Sequence, residues 1–268
     1  MGKIKWERSF PSQVYTKWAG KSVYYYKSIN STNVKAHELA AQGALHGSVV
    51  LADKQTAGRG RRGRQWDSPP GENLYFTLLL YPKLPARKAS MLTLVMALAV
   101  GKALGEVTGH EIWIKWPNDV VLNGKKVAGI LTEMQARDDK IDHVIIGVGV
   151  NVARREFKGE LAEKATSLEN EVENQVTREA LLAGILEHFE ILYEMFCLKG
   201  NMKDLRQAYE SYLINKGRQV LVLDPAGEFT GIALGINDTG ELQVQLKDGT
   251  VQSVYAGEVS VRGVYGYV

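Results

Sequence analysis

The sequence changes pattern near Gly217, and this change constrains the fold more than any other feature. Before it, strand-like runs are interrupted by two long apolar helical segments, Ala89–Val107 and a second one that begins at Thr177. After it, five short strand-like runs occupy about 50 residues and are separated by turn sequences such as Asn237-Asp238-Thr239-Gly240. We therefore predict an α+β unit followed by a small antiparallel barrel, with the boundary at Asn215-Lys216-Gly217.

Runs rich in β-branched and aromatic residues predict the strands of the first unit. They are Val23–Tyr26, Ser48–Ala52, Asn73–Leu80, Ile112–Lys115, Val120–Leu122, Val127–Met134 and His143–Val150. Ser31 or Thr32 is suited to cap a helix that runs to Ala40. A further helix is expected over Met202–Leu213, and Asn123-Gly124 predicts a tight hairpin turn.

Composition indicates a globular protein of a reducing compartment. The 268 residues are 45% hydrophobic and include a single cysteine, so no intramolecular disulfide can form. Cys197 lies between Phe196 and Leu198 in a predicted helix and is interpreted as a core residue, not a nucleophile. The longest apolar stretch, Met91–Val100, is too short to span a bilayer. Residues 1–22 are interpreted as an extension packed on the main unit, without the apolar run of a secretory signal. We expect a cytoplasmic protein that does not associate with membranes.

The segment Gly58–Arg64 carries four arginines separated by three glycines and is followed at once by Gln65-Trp66. Glycine is unfavourable inside helices and strands, so the segment is predicted to be a loop. The guanidinium group offers a planar fork of donors that suits phosphate and carboxylate groups. Without these four arginines the formal net charge of +3 would become −1, so the basic excess is concentrated in this segment. We refer to residues 58–64 as the Gly-Arg loop and predict that it holds an anion.

Several further segments place polar groups at the ends of predicted elements. Ser31-Thr32-Asn33 lies at a helix start, where free backbone donors can bind a polar group. Lys115-Trp116-Pro117-Asn118-Asp119 joins two strands, and Gly129 weakens a third strand in a way that favours close approach of a ligand. Gly147-Val148-Gly149-Val150-Asn151 leaves room for a flat ligand, on which Trp66 could stack. Taken singly, each segment also has an ordinary structural interpretation.

Taken together and in order, these segments resemble the biotin protein ligases. The segments are Ser31–Asn33, Gln55–Trp66, Lys115–Asp119, Lys126–Leu131 and Gly147–Asn151. The resemblance covers roughly residues 23–268 and implies an α+β fold in which a mixed central sheet is flanked by helices, as in biotin and lipoyl ligases. It implies a catalytic domain over residues 23–216 and an SH3-like barrel over residues 217–268. It also implies a homodimer.

The same resemblance implies a two-step reaction. Biotin and MgATP give biotinyl-5'-AMP and pyrophosphate, and biotin then passes to a lysine of the biotin carboxyl carrier domain of a carboxylase. For biotin, it implies contacts with Ser31, Thr32, Asn33, Gln55, Gly58, Gly129 and Trp116. For ATP, it implies that adenine stacks on Trp66 and bonds to Asn151, and that Arg262 reaches toward the phosphates.

The catalytic assignments also follow from the resemblance. Arg59, Arg61 and Lys126 would offset the repulsion between the biotin carboxylate and the α-phosphate, a form of electrostatic catalysis. Asp119 would either help the acceptor lysine to lose its proton or orient Lys126, and the sequence leaves both open. No protein ligand set for a metal is predicted. Because only residues 1–22 precede the catalytic domain, we expect no DNA-binding repressor activity.

Two other functions fit parts of the sequence. A lipoate–protein ligase or an octanoyl transferase would share the catalytic fold, but the transferase would need a cysteine or lysine nucleophile, and Cys197 is placed in a core helix. A nucleic-acid-binding module could use the arginines. The confinement of positive charge to one loop, without a platform of aromatic side chains, argues against it, so we expect no nucleic-acid partner.

Overall fold

A computed structural model describes residues 14–173, 176–224, 227–257, 259–263 and 267. Residues 1–13 of the predicted extension lie outside the described residues, as do Pro225 and Ala226 of a predicted turn.

A seven-stranded sheet forms the first unit, and its strands follow the sequence prediction. They are β1 (Val23–Tyr26), β2 (Val49–Ala52), β3 (Leu74–Leu80), β4 (Ile112–Lys115), β5 (Asp119–Leu122), β6 (Lys125–Arg137) and β7 (Lys140–Val150), in the order β1-β2-β3-β7-β6-β5-β4. The β1–β2 pair is parallel and the others are antiparallel, so the sheet is mixed. Asn123 and Gly124 have φ values of 49° and 76°, as the predicted hairpin turn requires.

Helices cover both faces of this sheet. They are α1 (Thr32–Ala41), α2 (Met91–Thr108), α3 (Leu161–Lys164), α4 (Leu168–Glu171), α5 (Arg178–Lys199) and α6 (Arg206–Tyr212). Because successive strand residues point to opposite faces, Leu51 joins the large core under α2 and α5, whereas Val50 packs with the residues of α1. The short helices α3 and α4 were not predicted, since four residues are too few to show a helical repeat.

The apolar helix α2 is longer than Met91–Val100, the stretch that was judged too short to span a bilayer. Residues Ala86–Thr108 are long and apolar enough to cross a bilayer by length and composition, so the argument from length was wrong. However, 78% of their most apolar window is buried inside the fold. The apolar character of α2 therefore reflects its place at the centre of the core.

The second unit is a five-stranded antiparallel sheet, as predicted. Its strands are β8 (Gln219–Asp224), β9 (Gly227–Ile236), β10 (Leu242–Gln245), β11 (Val251–Val254) and β12 (Ser260–Gly263), in the order β11-β10-β9-β8-β12. Its small size and antiparallel pairing agree with the predicted barrel-like domain. Trp116, which follows β4, joins the two units, because its indole Nε1 donates to the Gly240 carbonyl at 3.1 Å.

The segment that precedes β1 is attached to α5 by one buried carboxylate. Glu190 accepts hydrogen bonds from the backbone N–H groups of Lys17, Trp18 and Ala19 at 2.6, 2.8 and 2.9 Å. The Trp18 ring also packs edge-on against Tyr193 of the same helix. Backbone donors that would otherwise be buried without partners are thus satisfied by a single side chain.

Replacing this carboxylate should destabilise the protein. Glu190→Ala is expected to lower the free energy of unfolding by about 3 kcal/mol, because it removes charged hydrogen bonds and leaves buried N–H donors unpaired. Chemical denaturation measures the change. Glu194→Ala is the control, since this carboxylate is 45% exposed and makes surface contacts, an ion pair with Lys17 and a 3.3 Å hydrogen bond from Trp18 Nε1. Exposed ion pairs contribute about 0–1 kcal/mol. Equal losses in the two variants would contradict the assignment.

Candidate functional site

Two adjacent cavities lie between the Gly-Arg loop and the central sheet. The first cavity is lined by Ser31, Thr32, Asn33, Gln55, Arg59, Gly60, Arg61, Trp66, Asn118, Lys126, Gly129, Ile130, Leu131, Gly147, Val148 and Gly149. The second cavity has a volume of about 320 Å³ and is lined by Gly60, Arg61, Arg62, Arg64, Gln65, Trp66, Asp67, Asn118, Asp119, Lys126, Asn151, Arg155, Phe157, Leu161, Lys164, Ala165, Val259, Ser260 and Tyr267. Gly60, Arg61, Trp66, Asn118 and Lys126 belong to both linings, so the cavities share a wall.

The polar end of the first cavity is built at the start of α1. Thr32 donates to Gln55 Oε1 through both its backbone N–H and its hydroxyl, at 2.9 and 3.1 Å. The other end of the Gln55 amide donates to Ser68 Oγ at 3.0 Å. These bonds fix the orientation of the Gln55 amide. Ser31 is a buried residue that lines the same cavity, and it makes no side-chain cap bond to the helix.

Asn33 is held in the same cavity by a chain of hydrogen bonds. Its Oδ1 accepts from the Thr77 hydroxyl at 2.7 Å, and its Nδ2 donates to Glu133 Oε2 at 2.6 Å. Gly147 makes room for this amide, because a Cβ atom at that position would lie 2.1 Å from Asn33 Oδ1. The missing side chain at Gly147 in β7 therefore leaves space for Asn33, a residue of the protein itself.

Two further glycines seat the Trp66 indole. Gly129 of β6 and Gly149 of β7 are paired directly across the sheet. A Cβ atom on Gly149 would lie 2.5 Å from Trp66 Nε1, and one on Gly129 would lie 2.9 Å from its ring. Trp66 Nε1 is buried and has no hydrogen-bond partner among the described residues. The indole thus packs against the sheet over these two glycines, with its Nε1 on the side that faces Gly149.

The Gly-Arg loop contacts both structural units. Arg59 forms an ion pair with Glu133 at 3.2 Å. Arg61 donates to Asn118 Oδ1 at 2.7 Å and to the carbonyls of Gly257 and Val259 at 2.7 and 2.8 Å. The last two oxygens lie between β11 and β12, so one arginine side chain joins the loop to the second unit.

A charged cluster lines the second cavity beside the shared wall. Asp119 Oδ1 pairs with Lys126 Nζ at 2.5 Å, and Asp119 Oδ2 accepts from the Tyr267 hydroxyl at 2.7 Å. Burial alone would favour the neutral acid, but Lys126 and these hydrogen bonds hold the pKa of Asp119 below its ordinary value. Burial lowers the pKa of the neighbouring Lys115 to about 8.

The second cavity as a whole carries an excess of positive charge. Its lining includes the basic residues Arg61, Arg62, Arg64, Lys126, Arg155 and Lys164 and the acidic residues Asp67 and Asp119. Arg155 is paired with Asp67 across the mouth. A partly enclosed cavity of this size, whose lining holds six cations and two anions, suits a polyanionic ligand.

Comparison with known proteins assigns the chain to a family. Residues 25–151 match the Biotin/lipoate A/B protein ligase family, and residues 217–262 match the Biotin protein ligase C terminal domain. The bifunctional ligase/repressor BirA of Bacillus subtilis (strain 168) is 39% identical over 248 residues, which are 92% of this chain and 76% of that protein. The chain is a member of the biotin protein ligase family.

Other members of the biotin protein ligase family match over nearly their whole length. The biotin–[acetyl-CoA-carboxylase] ligase of Paracoccus denitrificans is 38% identical over 240 residues, covering 87% of this chain and 98% of that protein. The structure of the Aquifex aeolicus biotin protein ligase in complex with biotin and ATP superimposes with a TM-score of 0.78 at 32% identity, covering 91% and 99% of the two chains.

Most site residues that the resemblance to biotin protein ligases predicted do line the cavities, but three do not. Gly58 lies outside both, where a Cβ atom would meet the Trp66 carbonyl at 2.3 Å, so it shapes the loop. Trp116 is 2% exposed and packs in the core. Arg262 is exposed on β12 and contributes only its charge near Lys115. The structure does not place these three side chains against a ligand.

Other residues at the site were not predicted. Glu133, Asn118 and Tyr267 make the contacts that hold Arg59, Arg61 and Asp119. Asn118 lies within a segment that was singled out, but it was given no role. Glu133 and Tyr267 lie in strand-like or terminal sequence without any distinguishing motif, and only the folded chain brings them to the site.

The seat of Trp66 can be tested by adding one methyl group. Gly149→Ala is expected to displace the indole, because no Cβ atom fits 2.5 Å from its Nε1. Acrylamide quenching of tryptophan fluorescence should therefore rise. The rise should disappear when the same change is made in a Trp66→Phe background. Gly184→Ala is the control, because its Cβ atom would meet its nearest neighbour at 3.6 Å, an ordinary contact. Unchanged quenching in Gly149→Ala would contradict the proposed seat.

Proposed function

We propose that this chain is a biotin protein ligase, which joins biotin and ATP to form biotinyl-5'-AMP and then transfers biotin to a lysine of a biotin carboxyl carrier domain. The observation that carries this conclusion is the shared wall of the two cavities. Arg61 and Lys126 lie in that wall, at the point where a ligand in one cavity would meet a ligand in the other. Such a site is suited to joining two anionic molecules.

The first cavity suits biotin. Thr32 and Gln55 are oriented in advance by their hydrogen bonds, and with Ser31 they offer donors and acceptors to the ureido ring. Ile130 and Val148 provide apolar surface for the remainder of the molecule. The biotin carboxylate would then point toward the shared wall.

The second cavity suits ATP. Trp66 offers a flat face for adenine, and stacking on an aromatic side chain is a common way to hold a base. Asn151 Nδ2 already donates to the Thr166 carbonyl at 3.0 Å, so its Oδ1 is the atom proposed to accept from the base. Arg64 and Lys164 lie in the same lining and are placed to attract phosphates. Mg²⁺ offsets the phosphate charge when bound, and because the described residues include no cluster of three or more metal-ligating side chains, we expect the phosphates to be its main ligands.

In the first step, the biotin carboxylate attacks the α-phosphorus of ATP and pyrophosphate leaves. Both reactants are anions, so cations at the meeting point lower the barrier by stabilising the charge that develops. Lys126 is held there by Asp119 and lies 5.3 Å from the centre of the Trp66 ring. In the second step, the amine of the acceptor lysine attacks the acyl carbon and AMP leaves. The Gly-Arg loop covers the point where the two cavities meet and where the adenylate would form. It would therefore limit hydrolysis of the adenylate by water.

The wider assignments are part of the same proposal. Residues 23–216 form the catalytic domain and residues 217–268 the C-terminal barrel. The protein acts in the cytoplasm without a nucleic-acid partner and forms a homodimer through the exposed edge of the central sheet. The edge strand β1 supports the last point, because one of its sides has no neighbouring strand in the described sheet, whereas the outer side of β4 is occupied by Leu213 and Ile214.

The function is tested by exchange of pyrophosphate into ATP, which reports the first step alone. We expect exchange that depends on biotin and is absent with lipoate or octanoate. Exchange with lipoate alone would identify the chain as a lipoate ligase. Absence of exchange with every acid would overturn the proposed activity.

Lys126 should matter more for the first step than for binding. Lys126→Ala is expected to slow adenylate formation about 100-fold, the usual cost of removing one group that stabilises developing charge, with little change in the dissociation constant of biotin. Rapid-quench kinetics and calorimetry measure the two quantities. Lys125→Ala is the matched control, because its Nζ donates to the Ala162 carbonyl and it lines neither cavity. A normal rate in Lys126→Ala would refute the assignment, and a slow rate in Lys125→Ala would transfer the role to that residue.

A further inference from the structure

Tyr267 contacts two charged residues, Asp119, which lines the second cavity, and Lys115, which is buried behind it. Its hydroxyl donates to Asp119 Oδ2 at 2.7 Å. Its backbone carbonyl accepts from Lys115 Nζ, and the same ammonium group lies 3.6 Å from the centre of its ring. Tyr267 also lines the second cavity beside Asp119 and Lys126. One residue from beyond β12 is thus built into the wall of a site that belongs mostly to the first unit.

The bonds of Asp119 define what that carboxylate does in this arrangement. One oxygen holds Lys126 Nζ at 2.5 Å, and the other is occupied by the Tyr267 hydroxyl. Asp119 Oδ1 is buried against Lys126 Nζ, so an acceptor amine does not reach this oxygen in the arrangement described. The geometry therefore favours the alternative in which Asp119 orients Lys126.

We propose that Tyr267 is a positioning residue for adenylate formation, which acts by fixing Asp119 so that Asp119 holds the Lys126 ammonium at the shared wall of the two cavities. This inference rests on the proposed biotin ligase activity. A carboxylate held at one oxygen only could rotate, and the ammonium group would then move with it. Even a small displacement of a charged group at a reacting centre reduces the rate strongly.

The charged groups around Asp119 determine how the rate should depend on pH. Lys126 of β6, Lys115 of β4 and Tyr267 face the carboxylate, while Arg262 and Lys164 act on Lys115 and Arg64 acts on Tyr267. The Tyr267 hydrogen bond stabilises the charged carboxylate, so its loss raises the pKa of Asp119. The active form requires the carboxylate and is lost as pH falls through that pKa. Removing the hydroxyl should therefore move the acidic limb of the rate profile to higher pH.

The test is Tyr267→Phe, which removes the hydroxyl and keeps the ring over Lys115. We expect kcat of biotin-dependent pyrophosphate exchange to fall about 10-fold, in line with the loss of one hydrogen bond to a charged group. KM for biotin should not change, because Tyr267 does not line the first cavity. Tyr255→Phe is the matched control, since Tyr255 is 50% exposed and lines neither cavity.

A second variant distinguishes positioning from simple packing. If Tyr267 acts through Asp119, then Tyr267→Phe should have no further effect on kcat in an Asp119→Asn background. A normal kcat and an unmoved acidic limb in Tyr267→Phe would overturn the inference, as would a full additional loss in the double variant. These outcomes differ from failure of the proposed function, in which the unaltered protein itself shows no exchange with biotin.

Discussion

The packing of Trp66 on a strip of sheet without side chains is the contact on which the site depends. Gly129 and Gly149 are paired across β6 and β7, and together they leave a recess that the indole fills. The backbone N–H of Trp66 donates to the Gly58 carbonyl at 2.9 Å, so the seated ring also fixes the base of the Gly-Arg loop. Without the recess, the loop would lose this contact with the sheet and would be held there by the side chains of Arg59 and Arg61.

The cationic side chains of this site are held in place by carboxylates of the sheet. Glu133 holds Arg59, and Asp119 holds Lys126. A cation that already has its orientation needs little rearrangement when an anion arrives, which is the physical basis of electrostatic preorganisation. The same principle explains why the acidic residues are as important as the basic ones, although only the latter would touch phosphate.

The sequence predicted the local features of the fold better than the contacts between distant segments. The strands of both units, the turn at Asn123-Gly124 and the loop character of residues 58–64 follow from local composition, and each was found at its predicted place. Tyr267 and Glu133 were missed because their roles arise from neighbours more than 70 residues away in the chain, at Asp119 and Arg59. Trp116 was expected near biotin from the resemblance to biotin protein ligases alone, and its large apolar ring is buried in the core.

The bonds of Arg61 to the second unit also determine which positions in the two units can change their amino acid without breaking this contact. Arg61 binds the carbonyl oxygens of Gly257 and Val259, which are main-chain atoms that every amino acid possesses. The connection is therefore encoded by one side chain in the loop and by the path of the backbone in the other unit. Side chains near β12 can be exchanged without erasing it, provided that this path is kept. At this contact the sequence of the second unit is therefore free to change, whereas Arg61 is not.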